Sequence, residues 1–369
     1  MKLKKYNMRA TEQTLFYNTI FSWPLQKNLT YCILSFLLYS GCTSEKKETN
    51  VAPLIERRVA GMLFSAEEAM TARKYGKVLA MCDSIIVRRR DIPYCYFIKA
   101  RALTEVKRFQ DARDAFTRVL QLDPNYPSVW FRLGNNAYHR EQYREALTFY
   151  AREWERVNSS GSKKEKCAIL IQMGRARKHL GEIDEAILAF EEVLKLNESH
   201  KEVYNDLGHI YNENGELIKA LEYQRRALKL NPDEGQYHYY VGALLYQLGE
   251  MEKAIPYLTT AVSMIPWHHG AHYNLGRALI ATGRLDQGRI HMAVVDSLQQ
   301  KAYDIGLARF SAQTYPDRPV LWISYGNLLY VSGLYDEALK AYLVAHYLEP
   351  ENKNIERVIN SLKGLIAAR

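Results

Sequence analysis

The sequence is poor in the residues that build special architectures. Its 20 Gly and 11 Pro in 369 residues, about 8% against about 12% in average proteins, exclude collagen-like, mucin-like and low-complexity chains. Five cysteines in this length cannot form a disulfide scaffold. No GxGxxG, P-loop, GxSxG, HExxH or CxxC occurs, so the usual signatures of nucleotide, hydrolase, zinc and redox sites are missing. No long block of one charge sign occurs either; Arg88, Arg89 and Arg90 form only a triplet before Asp91. The formal charge is +9, but residues 1–41 carry Lys2, Lys4, Lys5, Arg9 and Lys27 against Glu12, a net +4 that leaves +5 for the rest. That is an ordinary solvated surface, and nucleic acid is not an expected partner.

What is present is a substantial core. Apolar residues make up 47% and charged residues 25%, which excludes long disorder, and 27 tyrosines stand out. After the basic start, the run from Leu29 to Tyr39 is apolar for about a dozen residues. This is short of the roughly 20 that span a bilayer and suits the apolar region of a secretory signal. Ser40 and Gly41 follow, then Cys42, then the polar TSEKKETN. Read from the residues alone, the run is a signal, an uncleaved anchor or a buried helix. The order resembles the lipobox of bacterial lipoproteins, with Tyr39 where that family usually has Leu. The resemblance implies a signal peptide over 1–41, a lipidated Cys42 and a polar tether over 42–55, at an envelope membrane facing the periplasm, the outer membrane rather than the inner.

The rest of the chain repeats. Gly134, Gly174, Gly208, Gly242, Gly276 and Gly326 recur in similar contexts at gaps of 40, 34, 34, 34 and 50 residues. Ala112, Ala146, Ala186, Ala220, Ala254, Gly288 and Ala338 repeat at 34, 40, 34, 34, 34 and 50, so one unit is interrupted twice. Helical stripes such as Trp130, Leu133, Gly134, Ala137 and then Ala146, Leu147, Tyr150 divide each unit into two helices. Gly181, Gly215, Gly249, Gly283 and Gly333 fall between the halves, where a helix ends on a residue of positive φ. Pro124, Pro232, Pro266 and Pro350 close the second helices.

This pattern of aromatic, Leu-Gly, Tyr, Ala, aromatic, Ala and Pro, as in Trp322, Tyr325, Gly326, Leu329, Ala338, Tyr342, Ala345 and Pro350, resembles the tetratricopeptide repeat. The resemblance implies an all-α, right-handed solenoid of about eight helix pairs, with aromatic residues as packing knobs. A seven-repeat array spans 56–302, with a polar surface loop inserted at 159–166, and a last repeat spans 319–352. The extra 16 residues of the long gap suggest a separate helix within 303–318, placed near Tyr303 to Thr314, that would bend or divide the binding surface. The amphipathic segment 353–369 is expected to cap the last apolar face.

No catalytic site, metal or cofactor is expected. His268, His269 and His272 share a helix face, but no carboxylate or Cys completes a ligand set, and helix-start and packing roles suit them better. Cys82, Cys95 and Cys167 are read as buried or isolated thiols. The more promising face lies beside the core stripe of each first helix, at i, i+4 and i+7, which in the repeat family lines a concave groove. It holds Phe131, Asn135 and Tyr138; Ile171, Arg175 and Lys178; Asn205, His209 and Asn212; Tyr239 and Tyr246; Tyr273 and Arg277; and Asn327 and Tyr330, with Arg132, Gln172, Asp206, Tyr240 and Asn274 beside them.

Such a surface suits an extended peptide, its backbone paired by amides and its acidic groups or C-terminus favoured by Arg132, Arg175, Lys178 and Arg277. Two family specialisations do not carry over. The carboxylate clamp needs Lys and Asn together in one helix, where this chain has Phe131 with Asn135 and later Glu202 and Asp206. The Asn ladder of sugar-transferring relatives keeps only Asn274. The expected protein is thus a membrane-anchored scaffold or assembly adaptor that binds protein or peptide partners. A glycan- or peptidoglycan-binding envelope protein and a cytoplasmic RNA-binding repeat protein are the alternatives.

Overall fold

The computed structural model describes residues 52–367, and among them every regular element is a helix. The helices are α1 (Ala52–Thr71), α2 (Tyr75–Arg88), α3 (Pro93–Glu105), α4 (Phe109–Leu122), α5 (Val129–His139), α6 (Tyr143–Asn158), α7 (Lys163–Leu180), α8 (Ile183–Leu196) and α9 (Lys201–Glu213). They continue as α10 (Leu217–Leu230), α11 (Gly235–Gln247), α12 (Met251–Met264), α13 (His269–Ala281), α14 (Leu285–Thr314), α15 (Pro319–Val331), α16 (Tyr335–Leu348) and α17 (Lys353–Ala367). The architecture is an all-α solenoid of helix pairs. The described residues group into two compact units, 52–210 and 211–367. The signal segment, Cys42 and residues 43–51 lie outside the described residues, and residues 52–55, read as the end of a polar tether, already belong to α1.

The turn inside each pair has one geometry. Gly181, Gly215, Gly249, Gly283 and Gly333 adopt φ between 76° and 83°, and the residue after each is the N-cap of the second helix. In the first three pairs the same left-handed place is held by Arg73, Lys107 and Glu141, at φ 55°, 60° and 61°. These residues accept a conformation that costs a side-chain-bearing residue roughly 1–2 kcal/mol because Cβ crowds the following carbonyl.

In four of the pairs a glycine of the first helix receives a large side chain from the second. A Cβ on Gly174 would lie 2.9 Å from the buried Phe190 ring, one on Gly242 2.7 Å from Leu258 and one on Gly326 2.9 Å from Tyr342; Gly134 stands against Tyr150 in the same way. On the second helices Ala112, Ala146, Ala186, Ala220, Ala254 and Ala338 are wholly buried. Close backbones and filled space give the dense packing on which the pairs depend.

Two segments differ from the sequence reading. The insertion read as a loop over 159–166 is a connection of only four residues, because α7 already begins at Lys163. Ser162 caps it: the Glu165 N–H donates to Ser162 Oγ, and the Ser162 N–H donates to Glu165 Oε2 at 2.9 Å, a reciprocal box that satisfies two exposed donors. The separate helix expected near 303–314 is instead the second half of α14, which runs unbroken for 30 residues. No proline or capping glycine interrupts SLQQKAYDIGLARF, so elongation, one hydrogen bond per residue, is easier than a new nucleus. In the far half Ile305 packs against the C-terminal core, while Tyr303, Leu307 and Phe310 remain exposed. At the end of the chain α17 buries Ile355, Ile359 and Leu362 against Leu329, Tyr342 and Ala345.

Two glycine substitutions separate the two roles. Gly134→Ala forces the buried Tyr150 ring aside and is expected to lower stability by about 1–3 kcal/mol. Gly215→Ala meets no atom within 4 Å, so its loss, about 1 kcal/mol, comes from the backbone alone. Urea denaturation of each variant followed by circular dichroism checks both.

Candidate functional site

Within the units, first helices touch first helices: α1 meets α3, α5 meets α7 and α11 meets α13, to a degree no two successive second helices do among the described residues. The first helices therefore line the inner side, and their flanking residues form the candidate surface.

In the 52–210 unit this face is mostly salt-bridged or hydrogen-bonded. Arg175 pairs with Asp206, Nη2 to Oδ2 at 2.8 Å, so its charge is largely matched from within. Asn135 accepts a hydrogen bond from Tyr150 OH at 2.8 Å. Tyr138 is half-buried, edge-on to Tyr143 at 5.3 Å and to His179 at 5.5 Å, while Tyr143 and His179 stack at 4.5 Å. Lys178, Asn205 and His209 are half-buried on the same side. Three residues assigned to this face belong to the core instead. Gln172, at 6% exposure, Ile171, at 7%, and Phe131, at 3% and packed on Tyr150, sink between the helices and offer nothing to a ligand. Helical spacing fixes an angle, but the depth at that angle depends on how closely the neighbouring helix approaches.

The same register one and two repeats earlier holds residues that the sequence reading passed over. Glu67 and Arg101 occupy the place of Asn135, 34 residues apart, and form an ion pair with Nη1 2.8 Å from Oε1. Tyr94 OH donates to the same Glu67 oxygen at 2.9 Å. The Arg132 guanidinium, half-buried, stands over the Phe97 ring at 5.7 Å, and that of Arg101 stands over the same ring at 5.9 Å. The periodicity that marked the later repeats was the available signal.

In the 211–367 unit three of the assigned residues come together. Arg277 is hydrogen-bonded to Tyr246, and its guanidinium lies over the Tyr273 ring at 6.0 Å. The Tyr246 hydrogen bond, then the nearby phenol groups, hold the Arg277 charge even more firmly than usual. Tyr273 is 39% exposed and Arg277 is exposed beside it, so an open aromatic-cationic face results. Asn274 is half-buried alongside. Tyr239 is half-buried against His268, ring centres 4.1 Å apart, and Tyr240; burial pushes its phenol up.

The histidines are engaged with the protein. His268 caps α13, its Nδ1 accepting the Ala271 N–H at 3.0 Å. The His272 Nε2–H donates to the Pro266 carbonyl at 3.0 Å, which leaves Nδ1 as the acceptor for the Nδ1–H of His291, also at 3.0 Å. Among the described residues no group of three ligand-type side chains could hold a metal. Cys82, Cys95 and Cys167 are buried thiols, with the Cys95 Sγ–H 3.5 Å from the Cys82 carbonyl. Away from the first-helix face, an open cleft of about 410 Å³ lies among Leu120, Trp130, Leu133 and Phe149.

Two family models, both described as tetratricopeptide repeat, match this chain, one over 99–159, 171–234 and 219–266 and the other over 245–309. Solved structures are similar in fold. A tetratricopeptide repeat protein from Parabacteroides merdae is 14% identical, covers 73% of this chain and 97% of its own, and superposes with a TM-score of 0.45. MamA from Desulfovibrio magneticus RS-1 is 22% identical, with coverages of 47% and 94% and a TM-score of 0.42. YrrB, a TPR protein with an unusual peptide-binding site, is 20% identical, with coverages of 52% and 95% and a TM-score of 0.41. No curated protein matches the sequence significantly.

The histidines set a pH dependence. Burial holds His268 and His291 below the ordinary histidine value, the neighbouring His272 adding to the effect at both. The unfolded chain therefore takes up protons first. The stability these groups supply is full above about pH 6.5 and is lost as pH falls through the lower native values. The urea midpoint is expected to drop between pH 7.5 and 5.5, and to drop less in His291→Gln; an equal drop in both would contradict this.

Proposed function

The chain belongs to the tetratricopeptide repeat family, and on that premise we propose that it is a non-catalytic scaffold whose first-helix face takes extended peptide segments of partner proteins, held by a lipid on Cys42 at a bacterial envelope membrane. The observation that carries the binding reading is the group of Tyr246, Tyr273 and Arg277, in which an exposed aromatic ring and an exposed cation stand beside the half-buried Tyr246 on fixed helices. Tyr and Arg are the residue types that dominate interface energetics, because they combine broad apolar contact with directional hydrogen bonds. Mounted on packed helices they lose little entropy when a partner arrives. An open face of this kind suits an extended segment better than a small molecule, which needs enclosure.

Support for the anchor comes from the chain's start. The apolar run Leu29 to Tyr39 is followed by Ser40, Gly41 and Cys42 and then by an abrupt polar stretch. Several acyl chains, at about 0.8 kcal/mol per buried CH₂, would hold the protein firmly on a bilayer. No described helix is long and apolar enough to cross a membrane. The reading places the repeats in the periplasm, on the outer membrane rather than the inner, as an adaptor between proteins.

Tyr273→Ala combined with Arg277→Glu is expected to weaken partner capture from envelope extracts by at least about 30-fold, the loss of one strong interface anchor, with helical content unchanged. Capture at the original level would show that this face is not the site. Cys42→Ala should move the protein from the membrane fraction to the soluble fraction, and continued sedimentation with membranes would remove the lipid anchor.

A further inference from the structure

Away from the first-helix face, the 52–210 unit holds a pair of nucleophilic side chains that peptide binding does not use. Cys82 on α2 and Cys95 on α3 are wholly buried in the core that joins the first helix pair to the second. The Cys95 thiol donates to the Cys82 carbonyl at 3.5 Å and is in hydrogen-bond contact with the Cys82 side chain as well. That contact first, and burial second, push the Cys95 thiol up. Beside them Lys99 Nζ lies 2.6 Å from Asp83 Oδ1, an ion pair between the same two helices that holds them in one register. The contrast is Cys167 on α7, whose thiol is pushed up by burial with no second thiol contributing. A thiol is a weak donor and packs as a small apolar group, so packing alone does not call for two in contact. What the pair adds is the capacity to bond. The first helix pair also has a use for a bond: Arg73 stands at its turn with φ 55°, and Ala66 and Val78 fill its crossing where later pairs have Gly and Ala. Terminal repeats lack a neighbour on one side and open most readily.

We infer that Cys82 and Cys95 are an oxidation site: they join as a disulfide that straps the first helix pair to the second. Because the fold seals both sulfur atoms from solvent, the bond forms while this segment is still open during folding. The oxidant is itself a disulfide, that of a thiol–disulfide oxidoreductase or of glutathione. One cysteine, as thiolate, attacks that disulfide and displaces one of its sulfurs; the other loses its proton, attacks the mixed disulfide and displaces the second. One S–S bond replaces another, the protein gives up two electrons and two protons, and the oxidant leaves as two thiols. Once the core closes, reducing thiols no longer reach either sulfur, and the strap persists. The proposed periplasmic location supplies the oxidising surroundings that the bond needs, whereas the peptide-binding role is independent of it.

The test unfolds the full chain in urea with reductant, then refolds it in a mixture of reduced and oxidised glutathione. Free thiols are blocked with iodoacetamide and the chain is cut with trypsin, which separates VLAMCDSIIVR from DIPYCYFIK, each holding one of the two cysteines. The main product is expected to be these two peptides joined, even at about a tenfold excess of reduced over oxidised glutathione, with Cys167 alkylated in CAILIQMGR. Amide exchange over α1 to α3 is expected to slow on the order of 100-fold in the oxidised chain, the effect of closing a loop of about 14 residues. In the double variant Cys82→Ala with Cys95→Ala, which keeps the core apolar, exchange should be the same with and without reductant. Refolding that leaves both cysteines alkylated, pairs them with other cysteines or stops at mixed disulfides with glutathione would overturn the strap. So would an oxidised chain that exchanges as fast as the reduced one. Membrane release of Cys42→Ala and partner capture through Tyr273 and Arg277 are read separately, so the strap can fail while the anchor and the peptide-binding role stand.

Discussion

A large side chain seated on a small residue is the contact that the rest of this structure depends on. Where Gly174 meets Phe190, Gly242 meets Leu258 and Gly326 meets Tyr342, the backbones of paired helices come close enough that even one added methyl group would overlap its neighbour. The small side chain permits the approach and the large one fills the space, so neither helix can exchange its residue alone. A single pair packed this way still leaves an apolar side open. Stacking the next pair closes it, and at the chain's end α17 does so with Ile355, Ile359 and Leu362.

That packing also creates the surface on which function is proposed. Within each unit, first helices that touch one another share one side, and many of the residues flanking their core stripe stay at least partly open to solvent. Their treatment varies from residue to residue in each unit. Arg175 with Asp206 and Glu67 with Arg101 neutralise one another, whereas Arg132 is held over Phe97 without a matching carboxylate, and Arg277 is open to solvent between two tyrosines. A face in which most charges are paired internally and a few are not has directional preferences built in, since only the unmatched groups gain by meeting a ligand.

Much of this was legible in the order of residues. The glycine series at 181, 215, 249, 283 and 333 marks turns that need positive φ, and the alanine series marks crossings with no room for more. The turns at Arg73, Lys107 and Glu141 carry no such mark, because tertiary packing imposes the left-handed conformation on residues that do not prefer it. The unbroken α14 was written only as an absence, the lack of any breaker between Leu298 and Ile305. The box of Ser162 and Glu165 was a positive signal at the start of α7, concealed within a polar stretch that composition alone assigns to a loop.

The sequence by itself determined the helix pairs, their register and which angular face each residue occupies, because helical periodicity and steric tolerance are local properties. Only the tertiary structure decided depth and partnership on that face: that Gln172, Ile171 and Phe131 sink into the core, that Asp206 occupies Arg175, that Tyr246, Tyr273 and Arg277 converge, and that Arg132 is left unmatched. Those outcomes depend on distances between helices that lie some 30 residues apart in the chain, and a spacing along one helix carries no information about how near the next one comes.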